Sequence, residues 1–153
     1  MGRLQQALGA YSLVGLDTSI FIYHLEENLR YRDLVREVLA GVEEGKWAAV
    51  TSTITLLEVT VRPWQMDQSE IAQQYEILLV HFPHLTMRDV DRDVARKASQ
   101  LRARFGLRPA DAIQAATCLV EKARALVTND RQLARLKPVL DVFVLEDYLL
   151  PAA

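Results

Sequence analysis

Five short apolar runs, separated by longer amphipathic stretches, constrain the fold of this chain more than any other feature. The runs are Ser12–Leu16, Ala48–Thr51, Leu85–Met87, Ala125–Thr128 and Val142–Leu145. Between them, apolar residues recur at helical spacing. Leu34, Val35, Val38, Leu39 and Val42 form one face of a helix ending near Gly45, and Ile71, Tyr75, Leu78 and Leu79 form another. Val90, Val94, Ala98, Leu101 and Phe105 lead to Gly106, a natural helix stop. Pro109 then suits the first turn of a helix over Ala110–Lys122. Strand-like runs alternating with helices predict an α/β domain around a mostly parallel sheet of about five strands.

The chain has 153 residues, which fits one domain with a sizeable hydrophobic core. That domain is expected over residues 12–150. Residues 1–11 precede it as an N-terminal extension, readable as an added helix, part of an interface or a disordered segment. The net charge of −2 offers no global attraction to nucleic acid, so any such contact must use local patches. One cysteine, Cys118, excludes an intrachain disulfide and a cysteine-rich zinc site, and it suits a reducing compartment. No apolar run approaches the ~20 residues needed to span a bilayer. The first ten residues lack an apolar core ending in a small-residue cleavage site. No membrane association is expected, and the expected location is the cytoplasm.

Four acidic residues stand where acidity is costly. Asp17 closes the run Leu13-Val14-Gly15-Leu16, and Glu58 interrupts the apolar stripe of Ile54, Leu57 and Val61. Asp111 opens a helix rich in small apolar residues, and Asp130 follows Leu126-Val127-Thr128-Asn129. A carboxylate taken out of water must be neutralised, hydrogen-bonded or set against a cation. In a parallel sheet, ligands collect beyond the carboxyl ends of the strands, and all four acids can face that end. Two carboxylates ~4 Å apart repel by about 4 kcal/mol at an effective dielectric of ~20. Four oxygen-bearing groups together therefore suit Mg²⁺ or Mn²⁺, and hydrolysis of a phosphodiester is the leading chemistry. Each acid also has a bland explanation. Asp130 could cap a short helix over Arg131–Leu136, Asp111 suits a helix N-terminus, and Asp17 could cap the helix beginning near Ser19. Only Glu58 has no capping role open to it.

Taken in order, four segments resemble the motifs of PIN domains, most closely the VapC-type toxin branch. They are Val14-Gly15-Leu16-Asp17-Thr18-Ser19, Thr55-Leu56-Leu57-Glu58-Val59, Arg108-Pro109-Ala110-Asp111-Ala112-Ile113 and Leu126-Val127-Thr128-Asn129-Asp130. The resemblance runs from about Ser12 to Leu149. It implies a three-layer α/β/α sandwich and a Mg²⁺- or Mn²⁺-dependent endoribonuclease, with Asp17, Glu58, Asp111 and Asp130 as catalytic metal-site acids. Thr18, Thr128 and Asn129 match accompanying polar positions, and Gln114 takes a supporting role. The resemblance further implies an RNA substrate, a small cognate antitoxin, a homodimer and a place in a toxin–antitoxin pair. The alternative is a PIN-like protein of weak catalysis that binds RNA or serves as a scaffold.

Other residues read more plainly. Arginines cluster at Arg88, Arg92, Arg96, Arg102, Arg104 and Arg108, but Asp89, Asp91 and Asp93 interleave them, as on a solvated helix face. Arg108 and Arg131 are the substrate-binding candidates, for their nearness to the acids in sequence. Trp64 suits a structural or interface role better than base stacking, and residues near Trp64–Tyr75 are a candidate contact surface. His24, His81 and His84 lack the spacing of a zinc-protease motif. Cys118 reads as a small core residue. A haloacid-dehalogenase-type phosphatase would need a second aspartate where Ser19 stands. A receiver domain would need paired acids after its first strand.

Overall fold

The computed structural model describes residues 2–150. Its strands are β1 (Leu13–Leu16), β2 (Ala48–Ser52), β3 (Leu85–Arg88), β4 (Ala125–Thr128) and β5 (Asp141–Val144). They form one sheet in the order β3-β2-β1-β4-β5, and every neighbouring pair is parallel. All five expected runs are therefore strands, with ends displaced by no more than a single residue. One face of the sheet is covered by α1 (Arg3–Leu8), α2 (Thr18–Leu25), α3 (Arg32–Glu43), α4 (Thr53–Gln65) and α5 (Ser69–His81). The other face carries α6 (Arg92–Phe105), α7 (Pro109–Val120) and a 3₁₀ turn over Arg131–Leu136. The result is the three-layer α/β/α sandwich. Among the described residues, no helix is long and apolar enough to cross a membrane.

Successive side chains of a strand point to opposite faces, and the central strands are apolar on both. Val14, Leu16, Ala49, Ala125 and Val127 enter the core beneath α1–α5, whereas Val50 and Leu126 enter the core beneath α6 and α7. Gly15 occupies the alternate position on β1. A Cβ there would lie 2.1 Å from the Cys118 sulfur, so the glycine lets α7 close directly onto the strand. Residues before β1 contribute as well. Leu4 and Leu8 of α1 are buried in the first core, and the helix packs beside α3. Met1, the start of the N-terminal extension, lies outside the described residues.

Two helical faces differ from their expected positions. Asp91 caps α6 by accepting the Val94 amide at 3.0 Å, so Val90 precedes the helix and is exposed. On α4 the buried residues are Thr55, Val59, Thr60 and Pro63, while Leu57 and Val61 are 58% and 45% exposed. The expected stripe of Ile54, Leu57 and Val61 is thus not the buried face. Paired hydroxyls permit the exchange. Thr51 donates to the Leu16 carbonyl at 2.9 Å and hydrogen-bonds to Thr55 at 2.7 Å, satisfying a polar face inside the fold.

Chain order sets the location of the site. The strands step outward from β1 through β2 to β3, and the chain then returns to place β4 on the other side of β1. That reversal opens a crevice beyond the carboxyl ends of β1 and β4.

Candidate active site

Asp17 follows the last residue of β1 and caps α2, so a strand end and a helix start together fix its side chain in the crevice. Its Oδ1 accepts the Thr18 amide at 2.8 Å, and its Oδ2 accepts the Thr128 hydroxyl at 2.7 Å from the end of β4. Asp17 is only 9% exposed. Burial pushes its carboxyl up to about 6, opposed by these two hydrogen bonds and reinforced by repulsion from Asp111 and Glu58. Asp111 and Glu58 thus lie close enough to act on the charge of Asp17.

Glu58 stands on α4. Its Oε1 accepts the Thr18 hydroxyl at 2.7 Å, which links it through one residue to Asp17. Behind this pair lies Gln114, which is 2% exposed. Its Nε2 donates to the hydroxyls of Thr18 at 3.0 Å and Thr55 at 2.8 Å, and its Oε1 accepts the Ser52 hydroxyl at 3.1 Å. One amide from α7 therefore clamps the starts of α2 and α4 and the end of β2. Three small residues of α7, Ala112, Ala115 and Ala116, let the helix lie close enough to the sheet for this reach. Ser52 and Thr55 were not singled out in the sequence. Ser52 as the cap of α4 and Thr55 one turn before Glu58 were the signals available.

Asp111 lies in the first turn of α7, and Asp130 caps the 3₁₀ turn after β4 by accepting the Gln132 amide at 2.9 Å. The capping role expected of Asp130 is real, yet it leaves the second oxygen of the carboxylate for another partner. Arg108 joins the two acids. Its Nε donates to Asp111 Oδ2 at 3.0 Å and its Nη2 to Asp130 Oδ2 at 3.1 Å. Glu58 also lies close enough to act on the charge of this guanidinium.

The donor set is all oxygen, as Mg²⁺ and Mn²⁺ prefer, and a guanidinium already bridges two of its members as a cation would. Residue types therefore fit a divalent ion. Among the described residues, however, no three Asp, Glu, His or Cys side chains are gathered closely enough to hold one ion as they stand. Each acid already accepts a hydrogen bond, from Thr18 and Thr128, from Thr18, or from Arg108.

The remaining candidates lie farther out. Asn129 donates to the Tyr23 hydroxyl at 3.0 Å and accepts the Glu146 amide at 3.0 Å, so it ties the β4 loop to its surroundings without touching an acid. Arg131 pairs with Asp147 at 2.7 Å. Arg88 bridges Asp91 and Glu121, and Arg96 pairs with Asp93, as a solvated charged face would. Cys118 is buried, and burial pushes its thiol up to about 12, which leaves it inert. His84 contacts the Val42 carbonyl at 2.9 Å, and burial holds the His24 imidazole below its ordinary value. Beside Glu58, a groove of about 470 Å³ runs between α2, α4 and α5, lined in part by Ile22, Leu25, Pro63, Met66 and Tyr75.

Comparison with known proteins follows the same outline. The family model described as PIN domain matches residues 14–138. The chain is 26% identical over 131 residues to Ribonuclease VapC7 of Mycobacterium tuberculosis (strain ATCC 25618 / H37Rv), an alignment covering 85% of this chain and 90% of that protein. Among solved structures it is similar to VapBC2 from Rickettsia felis bound to a DNA fragment from their promoter. There the TM-score is 0.67 at 20% identity, covering 85% of this chain and 96% of that one. A toxin–antitoxin complex from Klebsiella pneumoniae gives a TM-score of 0.63 at 22% identity, covering 86% and 97%. At these identities the structural likenesses establish the fold.

Proposed function

The chain belongs to the PIN domain family, and on that premise we propose that it is a divalent-metal-dependent endoribonuclease, the toxin of a toxin–antitoxin pair. What supports the reading is two linked pairs of acids near the carboxyl ends of β1 and β4: Thr18 joins Asp17 to Glu58, Arg108 joins Asp111 to Asp130, and Asp17 is nearly buried. Asp17, Glu58, Asp111 and Asp130 are the metal-site acids. When bound there, Mg²⁺ or Mn²⁺ supplies Lewis-acid activation of water and charge for the leaving oxygen. The chain's own residues orient the acids. The Thr18 amide and Thr128 hydroxyl hold the two oxygens of Asp17, while Thr18 and Gln114 fix Glu58. Asn129 steadies the β4 loop, and Arg108 and Arg131 are the cationic contacts for RNA phosphates.

Similarity to a protein named as a ribonuclease supports RNA as the substrate. Likeness to a toxin–antitoxin complex, together with the groove beside Glu58, supports an antitoxin segment as partner. Exposed Leu57, Val61 and Trp64 on α4 support a homodimer, and the single reduced Cys118 suits the cytoplasm.

Purified protein is expected to cleave RNA with Mg²⁺ or Mn²⁺ and to stop on chelation with EDTA. Losing a direct ligand should cost at least what losing an outer partner does, so Asp17→Asn and Asp111→Asn should slow cleavage by roughly 100-fold or more. Circular dichroism should be unchanged in both variants. Full-rate cleavage by either variant would refute the assignment.

A further inference from the structure

Arg108 stands at the start of α7 without capping it, and its side chain is 70% exposed. Its guanidinium nevertheless spans two elements. One nitrogen reaches Asp111 in the first turn of α7, and another reaches Asp130 on the loop after β4. Both bonds end on Oδ2 atoms, on carboxylates that are themselves 13% and 31% exposed. The groups that an ion must claim are thus already held by a monovalent cation belonging to the chain. A guanidinium and a divalent ion brought together here repel each other and compete for the carboxylate oxygens.

We propose that Arg108 is an exchangeable counter-ion of the acidic site. It offsets part of the negative charge of Asp111 and Asp130 when no metal is bound, and it leaves both when an ion enters. Once displaced, its planar fork is free beside the acids, where it can take a phosphate of the RNA through two parallel hydrogen bonds. Metal binding and the exposure of a phosphate contact are thereby coupled in one side chain. The proposal rests on the metal-site reading above.

The opposite role makes the opposite prediction. If Arg108 were a permanent clamp holding the acids together, removing it would let them separate and would weaken metal binding. Exchange predicts tighter binding. Mn²⁺ is titrated calorimetrically into the full-length protein, Arg108→Gln and Arg131→Gln, without RNA. Two ion pairs of the largely exposed Arg108 and one like charge are removed in Arg108→Gln, so its Mn²⁺ affinity is expected to rise roughly tenfold. Its metal-free melting temperature is expected to fall by about 2–4 °C as the two acids lose their counter-ion. Arg131→Gln removes an equal charge that is bound to Asp147, and its Mn²⁺ affinity should move by less than about twofold. Unchanged or weaker Mn²⁺ binding in Arg108→Gln overturns the exchange and leaves the metal site standing. An equal gain in Arg131→Gln also overturns it, since general charge would then account for the effect. Absence of Mn²⁺ binding in all three proteins overturns the metal-site reading itself, and the exchange with it.

Discussion

Asp17 carries two roles that pull its protonation in opposite directions. The Thr18 amide and Thr128 hydroxyl favour the carboxylate, but burial and the neighbouring acids disfavour it more strongly. Its carboxyl therefore titrates at about 6 in the fold against 3.8 ordinarily. Between those two values the folded chain holds a proton that the unfolded chain has released. Stability from this group is thus complete below pH 4 and is lost as pH rises through 6. The loss amounts to about 2–3 kcal/mol in the metal-free protein. Asp17→Asn cannot ionise, so the metal-free variant should be more stable than the parent at pH 7.5 and nearly equal to it near pH 4. Urea unfolding at the two pH values measures this. Identical pH dependence in parent and variant would show that Asp17 is not the group responsible. Arg108 belongs to the same scale, because its one side chain meets both Asp111 and Asp130.

Among the elements, α7 does most to assemble the site. Its alanines and the missing side chain of Gly15 bring it against β1, and only from that distance can Gln114 reach Ser52, Thr18 and Thr55. Gly15→Ala would place a Cβ 2.1 Å from the Cys118 sulfur. Either the helix or the strand must then shift, at a cost of roughly 1–3 kcal/mol. Cys118→Ala removes the opposing sulfur, so the double variant should be more stable than the sum of the single losses predicts. Denaturant midpoints of the four proteins provide the test, and strictly additive losses would mean that this contact does not limit the approach of α7. The same scale explains the misplaced face of α4. Apolar periodicity pointed to Leu57 and Val61, but the hydroxyls of Thr51 and Thr55 satisfy one another inside, so the threonine face packs inward.

At the scale of the molecule, the site depends on a sheet whose chain order reverses at β1, and that strand is supported from both faces. Support includes α1, which precedes the residues matched by the family model. Leu4 and Leu8 are 1% and 0% exposed and share a core with Val14 and Leu16, the residues that lead to Asp17. Leu8→Ala should therefore cost roughly 2–5 kcal/mol, a fall of about 5–15 °C in melting temperature. A shift below about 2 °C would mean that α1 is a loose appendage and that the core closes without it.

Strand positions, the helix stop at Gly106 and the helix start at Pro109 were all readable along the chain, because each depends on neighbours within a turn or a strand. Local chemistry even disclosed that Asp130 would cap a helical turn. Contacts between distant segments were beyond that reach. Nothing near Arg131 in the sequence indicates that Asp147 captures it, and nothing near Arg108 indicates that it bridges Asp111 to Asp130. Gln114 likewise gains its partners from three other elements. Periodicity and capping act over a few residues of backbone, whereas ion pairing and buried hydrogen bonds depend on which surfaces the folded sheet brings face to face.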